Sequence, residues 1–172
     1  MSGMHIEIAN EAATIGLAHA LAGQLRPGDC VLLSGPYGAG KSFFARAVIR
    51  ALIGDPQHEV PSPSFSLLQT YATALGPLHH FDLWRLSGSS EITEIGLWDA
   101  LSDITLIEWP ERMGERQIDG ALTIAIAPGE GENRSLDLAG WPDSRLSALT
   151  PQVNAGLGAR RPAGPGQSPG LT

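Results

Sequence analysis

The chain contains ten arginines and one lysine, and that lysine is Lys41 in Gly35-Pro36-Tyr37-Gly38-Ala39-Gly40-Lys41-Ser42. The stretch fits the phosphate-binding pattern G-x-x-x-x-G-K-[ST] without a gap. Its glycines let the backbone turn N–H groups toward phosphate oxygens. Lys41 would place a compact ammonium on the β- and γ-phosphates, and Ser42 would ligate magnesium. The broad planar fork of arginine does not fit a loop wrapped so closely. The chemistry implied is nucleoside triphosphate binding, and hydrolysis if further groups orient water and hold the metal.

Two acids are candidates for those tasks. Asp82, in His79-His80-Phe81-Asp82-Leu83-Trp84, follows an apolar run and is expected at the end of a strand beside the loop strand, where it would hold magnesium. Glu108 ends Ile104-Thr105-Leu106-Ile107-Glu108 and is expected at the carboxyl edge of the sheet, where open α/β folds bind ligands. It would ligate magnesium or orient water. The alternative for either acid is a strand-capping carboxylate facing solvent; the candidate catalytic set is Lys41, Asp82 and Glu108, and the candidate metal set Ser42, Asp82 and Glu108. In Pro61-Ser62-Pro63-Ser64-Phe65-Ser66, two prolines stiffen a segment whose Ser64 is placed to sense a γ-phosphate, or else simply lies in a rigid turn. His80 reads as a structural histidine. Trp84, Trp98 and Trp109 read as core or partner-surface aromatics.

These residues need a scaffold. Asp29 to Ser34 reads as a buried strand entering the loop, and Phe43, Phe44, Ala47, Val48, Leu52 and Ile53 recur at helical spacing after it, with Gly54 as the stop. Met4 to Ala9 alternates like an edge strand, and Ala12 to Leu25 reads as a helix. Leu67 to Tyr71, Leu78 to Trp84, Ile104 to Trp109, Leu122 to Ala127 and Ser135 to Leu138 are strand candidates, with one helix over Ser90 to Leu101. The alternation predicts a single α/β P-loop NTPase domain, with a mostly parallel central sheet, an antiparallel extension and flanking helices. This domain should span 1–150. Residues 151–172, with four prolines, five glycines and no aromatic side chain, read as a disordered tail.

Composition narrows the function classes. A net charge of −7 provides no broad basic surface for nucleic acid. The single cysteine, Cys30, excludes an internal disulfide and a cysteine-based zinc site, and its strand position marks it as a core thiol. The N-terminus has no signal-peptide pattern, and no stretch approaches a membrane span, so a cytoplasmic protein without membrane association is expected.

The motifs GPYGAGKS, VPSPSFSLLQTY, HFDLWRL, EITEIGLWDAL and LIEWPERM, in this order and spacing, resemble the bacterial TsaE (YjeE) family over roughly Ile6 to Leu138. The resemblance implies an ATPase of tRNA threonylcarbamoyladenosine formation that uses ATP and Mg2+. It implies as partner a TsaB–TsaD complex, with tRNA touched only indirectly. It further implies that Gly35 to Ser42 bind ATP, with Thr14 near the nucleotide and Arg134 beside the base or ribose. Ser42 and Ser64 stand where the family has threonines, Asp82 matches its Walker B aspartate, and Glu108-Trp109-Pro110 matches its EWP motif. Pro36-Tyr37 replaces the usual Asp-Leu. A small-molecule kinase and a non-catalytic nucleotide-dependent binding module are the alternatives.

Overall fold

The computed structural model describes residues 3–150. The tail expected over 151–172 lies outside the described residues, as does its boundary with the domain.

The chain begins with edge strand β1 (Gly3–Ile8), which buries Ile6 and Ile8 and turns His5 and Glu7 outward. Helix α1 (Glu11–Gln24) starts where the Asn10 side chain accepts the Ala13 N–H at 2.9 Å, and it buries Ala13, Leu17, Ala18 and Leu21. After the turn at Arg26–Asp29 come β2 (Cys30–Ser34), the glycine loop and α2 (Lys41–Ile53), which Gly54 closes in the left-handed conformation. A hairpin of β3 (Leu68–Thr73) and β4 (Gly76–Asp82) follows, then two short helices, α3 (Ser89–Glu94) and α4 (Leu97–Ala100). Strand β5 (Ile104–Glu108) leads into a 3₁₀ turn at Pro110–Met113. The domain ends with β6 (Leu122–Pro128), β7 (Arg134–Ala139) and α5 (Asp143–Ser147).

The strands form one seven-stranded sheet in the order β1-β7-β6-β2-β5-β4-β3. Its centre, β6-β2-β5-β4, is parallel, while β3 at one edge and the β6-β7-β1 meander at the other are antiparallel. Side chains alternate across the sheet. Val31, Leu33, Leu78, Ile104 and Leu106 face the layer of α1, α2 and α5, whereas Cys30, Phe81 and Ile107 face that of α3, α4 and the 3₁₀ turn. Both faces are covered, which is why β5 is buried at every position.

Two expectations change. β4 does not neighbour the loop strand; β5 lies between them. It is Glu108 that ends the strand next to β2, and Asp82 sits one strand further out. Strand order depends on crossovers between distant segments, which local patterns do not encode. The single helix expected over Ser90–Leu101 is two pieces, because Gly96 at φ 75° turns the chain between them.

Candidate functional site

Parallel strands align their carboxyl ends, and this brings the site together. β2 delivers the glycine loop, while the β4–β5 register sets Asp82 opposite Glu108 at the same edge. Gly35 leaves β2 at φ 139°, and a Cβ there would lie 2.2 Å from the Ile126 carbonyl oxygen, so only glycine fits. Gly40, at φ 105°, opens α2 and leaves the first N–H groups of the helix facing the loop.

Lys41 is 5% exposed, and its ammonium donates to the carbonyl oxygens of Gly35 at 2.7 Å and Pro36 at 2.9 Å. It also lies 3.9 Å from the centre of the Trp109 ring, a cation–π contact. Burial lowers its pKa below the usual lysine value, while the carboxylates of Glu108, Glu111 and Asp82 act the other way. Trp109 holds its place through a left-handed backbone at φ 60°, a costly conformation for a residue preceding proline. The Trp109 N–H donates to the Leu33 carbonyl at 3.2 Å, tying this kink to the loop strand.

The Ser42 hydroxyl donates to Glu108 Oε2 at 2.8 Å, and His80 Nε2 lies 2.8 Å from Glu108 Oε1. Ser64 donates to Asp82 Oδ2 at 2.9 Å, and the Trp84 N–H donates to Asp82 Oδ1 at 3.1 Å. Asp82, Glu108 and His80 are all buried. Ser42, Ser62, Ser64, Asp82 and Glu108, with Tyr37, Trp84 and Trp109 among its other lining residues, bound an open pocket on one side of the loop. A second pocket, on the other side, is lined by residues including Glu11, Thr14, Phe43, Glu132 and Arg134. The two meet at Gly40 and Phe43. Arg134 braces the loop by donating from Nε to the Ala39 carbonyl at 3.1 Å.

A profile of the family described as threonylcarbamoyl adenosine biosynthesis protein TsaE matches residues 8–136, which contain every one of these groups. The chain belongs to the TsaE family. A TsaE protein of Rickettsia felis is 47% identical over 103 residues, which are 59% of this chain and 60% of that relative. This chain thus spans less than two thirds of that relative's length. A TsaE protein of Aquifex aeolicus is 34% identical over 117 residues, covering 68% of this chain and 83% of the relative. The crystal structure of Bacillus subtilis YdiB superposes with a TM-score of 0.67 at 21% identity, over 90% of this chain and 96% of that one, a likeness of fold.

Within this TsaE family domain, the structure gathers Lys41, Ser42, Ser64, Asp82 and Glu108 at one pocket and Thr14 and Arg134 at the other. Of the loop residues, Ala39 is buried, while Tyr37 is 85% exposed. Tyr37 stands 6.2 Å from Trp84, which stands 4.4 Å from Trp109, forming an aromatic row over the lysine side of the loop. Sequence reasoning did not find this row, nor Glu11, Phe43 and Glu132 at the second pocket. The spacing of Glu11 and Thr14, three apart on α1, is the one local signal that pairs two of the latter residues.

Oxygen donors are what magnesium takes, and Ser42, Asp82 and Glu108 supply only oxygen. Among the described residues no group of three or more His, Cys, Asp or Glu forms a metal cage. Magnesium would draw its remaining ligands from water and phosphate, as it commonly does. Among the described residues no helix is long and apolar enough to cross a membrane.

Proposed function

We propose that this chain binds and hydrolyses ATP with magnesium, as an accessory to threonylcarbamoyladenosine modification of tRNA. The observation that carries the reading is the Lys41–Ser42–Glu108 arrangement: a buried lysine whose ammonium lies inside a glycine loop, followed by a hydroxyl 2.8 Å from a strand-end carboxylate. Family membership supplies the process.

In this reading the triphosphate lies along the loop, with the nucleoside toward Thr14 and Arg134 and the γ-phosphate toward Asp82 and Glu108. Lys41 exchanges its carbonyl partners for phosphate oxygens and neutralises charge as the γ-phosphoryl group departs. The loop N–H groups and the start of α2 hold the phosphates. Ser42, Asp82 and Glu108 would hold magnesium, which neutralises phosphate charge when bound. Glu108 faces the γ-phosphate end and orients the attacking water. Ser64, through Asp82, links the Pro61–Ser66 segment to that end, so the segment registers whether a γ-phosphate is present.

The partner in this reading is a TsaB–TsaD complex, with tRNA contacted only indirectly, in the cytoplasm. The domain's arginines include none that reaches the Asp82–Glu108 end by hydrogen bond among the described contacts, so turnover should be slow until the partner orders or completes the site. Phosphate release from magnesium-ATP, measured alone and with TsaB and TsaD, tests this. Stimulation that disappears in Lys41→Ala is expected; turnover alone as fast as turnover in the complex would remove the partner's role. The Ser64–Asp82 contact also favours a second reading, a nucleotide-set binding module that does not need hydrolysis. Pathway function surviving in Glu108→Gln would select it.

A further inference from the structure

His80 is 1% exposed, yet it lies among polar groups at the working edge of the sheet. Alternation along β4 points Leu78, His80 and Asp82 toward the α2 face. The register pairs His80 with Leu106 and Asp82 with Glu108, which leaves His80 one diagonal step from Glu108.

We propose that His80 is a positioning residue for Glu108, fixing the carboxylate from the sheet side while Ser42 grips it from the helix side. The proposal rests on the ATPase reading above. A glutamate side chain has three torsions, so a single contact leaves its carboxylate free to swing. Here Oε1 meets His80 Nε2 at 2.8 Å and Oε2 receives the Ser42 hydroxyl at 2.8 Å, so both oxygens are located. A carboxylate only accepts, so the ring proton must be on Nε2. His80 Nδ1 is buried and meets no partner among the described residues. The ring therefore has one working polar atom, and it is aimed at Glu108. An apolar side chain would fill the same space without the cost of burying an unpaired nitrogen. That cost is offset by the 2.8 Å hydrogen bond to the Glu108 carboxyl group.

The test contrasts two amides. The Gln side chain reaches about as far as Nε2, whereas Asn stops near Nδ1. With TsaB and TsaD present, His80→Asn should lower kcat by about 10–100-fold, the usual range for residues that orient a ligating or catalytic group. His80→Gln should retain kcat within about threefold, and binding of a fluorescent ATP analogue should change by less than about threefold in both. In a Glu108→Gln background, His80→Asn should add little further loss, because the two act as a unit. Wild-type kcat in His80→Asn, or equal loss in both amides with melting curves intact, would overturn the proposal. Nitrogen-15 spectra of the ring give a readout independent of turnover. A proton on Nε2 is expected, and one on Nδ1 would overturn the contact. A wild-type protein that hydrolyses no ATP under any condition would defeat the ATPase reading instead, and the ring spectrum would still decide the contact.

Discussion

The two sides of the glycine loop are built differently. On the Glu108 side, two strand ends, the start of α2 and the serine segment converge, and each carboxylate oxygen of Asp82 and Glu108 already meets a hydrogen-bond partner. On the Thr14 side the walls come from α1, Phe43 and the β6–β7 turn, and the Thr14 hydroxyl is directed to its own helix, at 3.3 Å from the Asn10 carbonyl. On one side the polar side chains are joined to one another across elements; on the other, Thr14 and Arg134 are held by backbone carbonyls. Under the proposed ATP hydrolysis, the difference separates where chemistry and where nucleoside binding would reside. In the ATP-hydrolysis reading, the polar cluster would stabilise developing charge at little reorganisation cost, whereas the Thr14-side cleft would contribute binding that ground state and transition state share equally.

Breaking the loop that separates the two sides should have the largest effect. Gly35→Ala drives a methyl into the Ile126 carbonyl, so both pockets should be lost together. Nucleotide binding should vanish by titration calorimetry, and stability should fall by about 3 kcal/mol or more in denaturant melts. Next, Glu108→Gln strikes only the Glu108 side: turnover should fall about 10²-fold or more while nucleotide affinity holds within about threefold. Normal turnover in that variant would remove the water-orienting role. Thr14→Ala strikes only the Thr14 side, because its hydroxyl bonds back to the Asn10 carbonyl and not to the loop. It should weaken nucleotide affinity by about three- to tenfold and leave kcat within about twofold, as expected for lost uniform binding. A kcat loss matching that of Glu108→Gln would erase the contrast between the sides.

The smallest effect at neutral pH comes from Cys30, at the opposite end of β2 from the loop. Burial raises its thiol pKa from 9.0 to about 12. The folded state thus keeps a proton that the unfolded state releases, and this contribution to stability is complete below pH 9 and declines between pH 9 and 12. The slope approaches about 1.4 kcal/mol per pH unit in that window. Melts of wild type and Cys30→Ala should therefore diverge in slope above pH 9 and run parallel below it. A native thiol that reacts with a disulfide reagent as fast as the unfolded chain would contradict this burial.

Much of the loop side was legible because its signals are local. The run Gly35 to Ser42, the apolar strand before it and the helical spacing after it are all consecutive in the chain, and the structure places them as strand, loop and helix. Asp82 and Glu108 were legible as strand ends, and parallel pairing brings strand ends to one edge. His80 was read as structural because its sequence neighbours give no hint of Glu108, which lies 28 residues away. The aromatic row from Tyr37 through Trp84 to Trp109 draws on three separate segments and has no linear pattern at all.

The sequence alone determined the glycine loop, the elements flanking it, the α/β class and the family, because each depends on residue order and short-range periodicity. Tertiary structure decided that β5 rather than β4 borders the loop strand, that Lys41 rests on its own loop carbonyls beneath Trp109, and that His80 meets Glu108. These outcomes come from crossover topology and close packing between distant segments, where a shift of one strand in the sheet would change every neighbour.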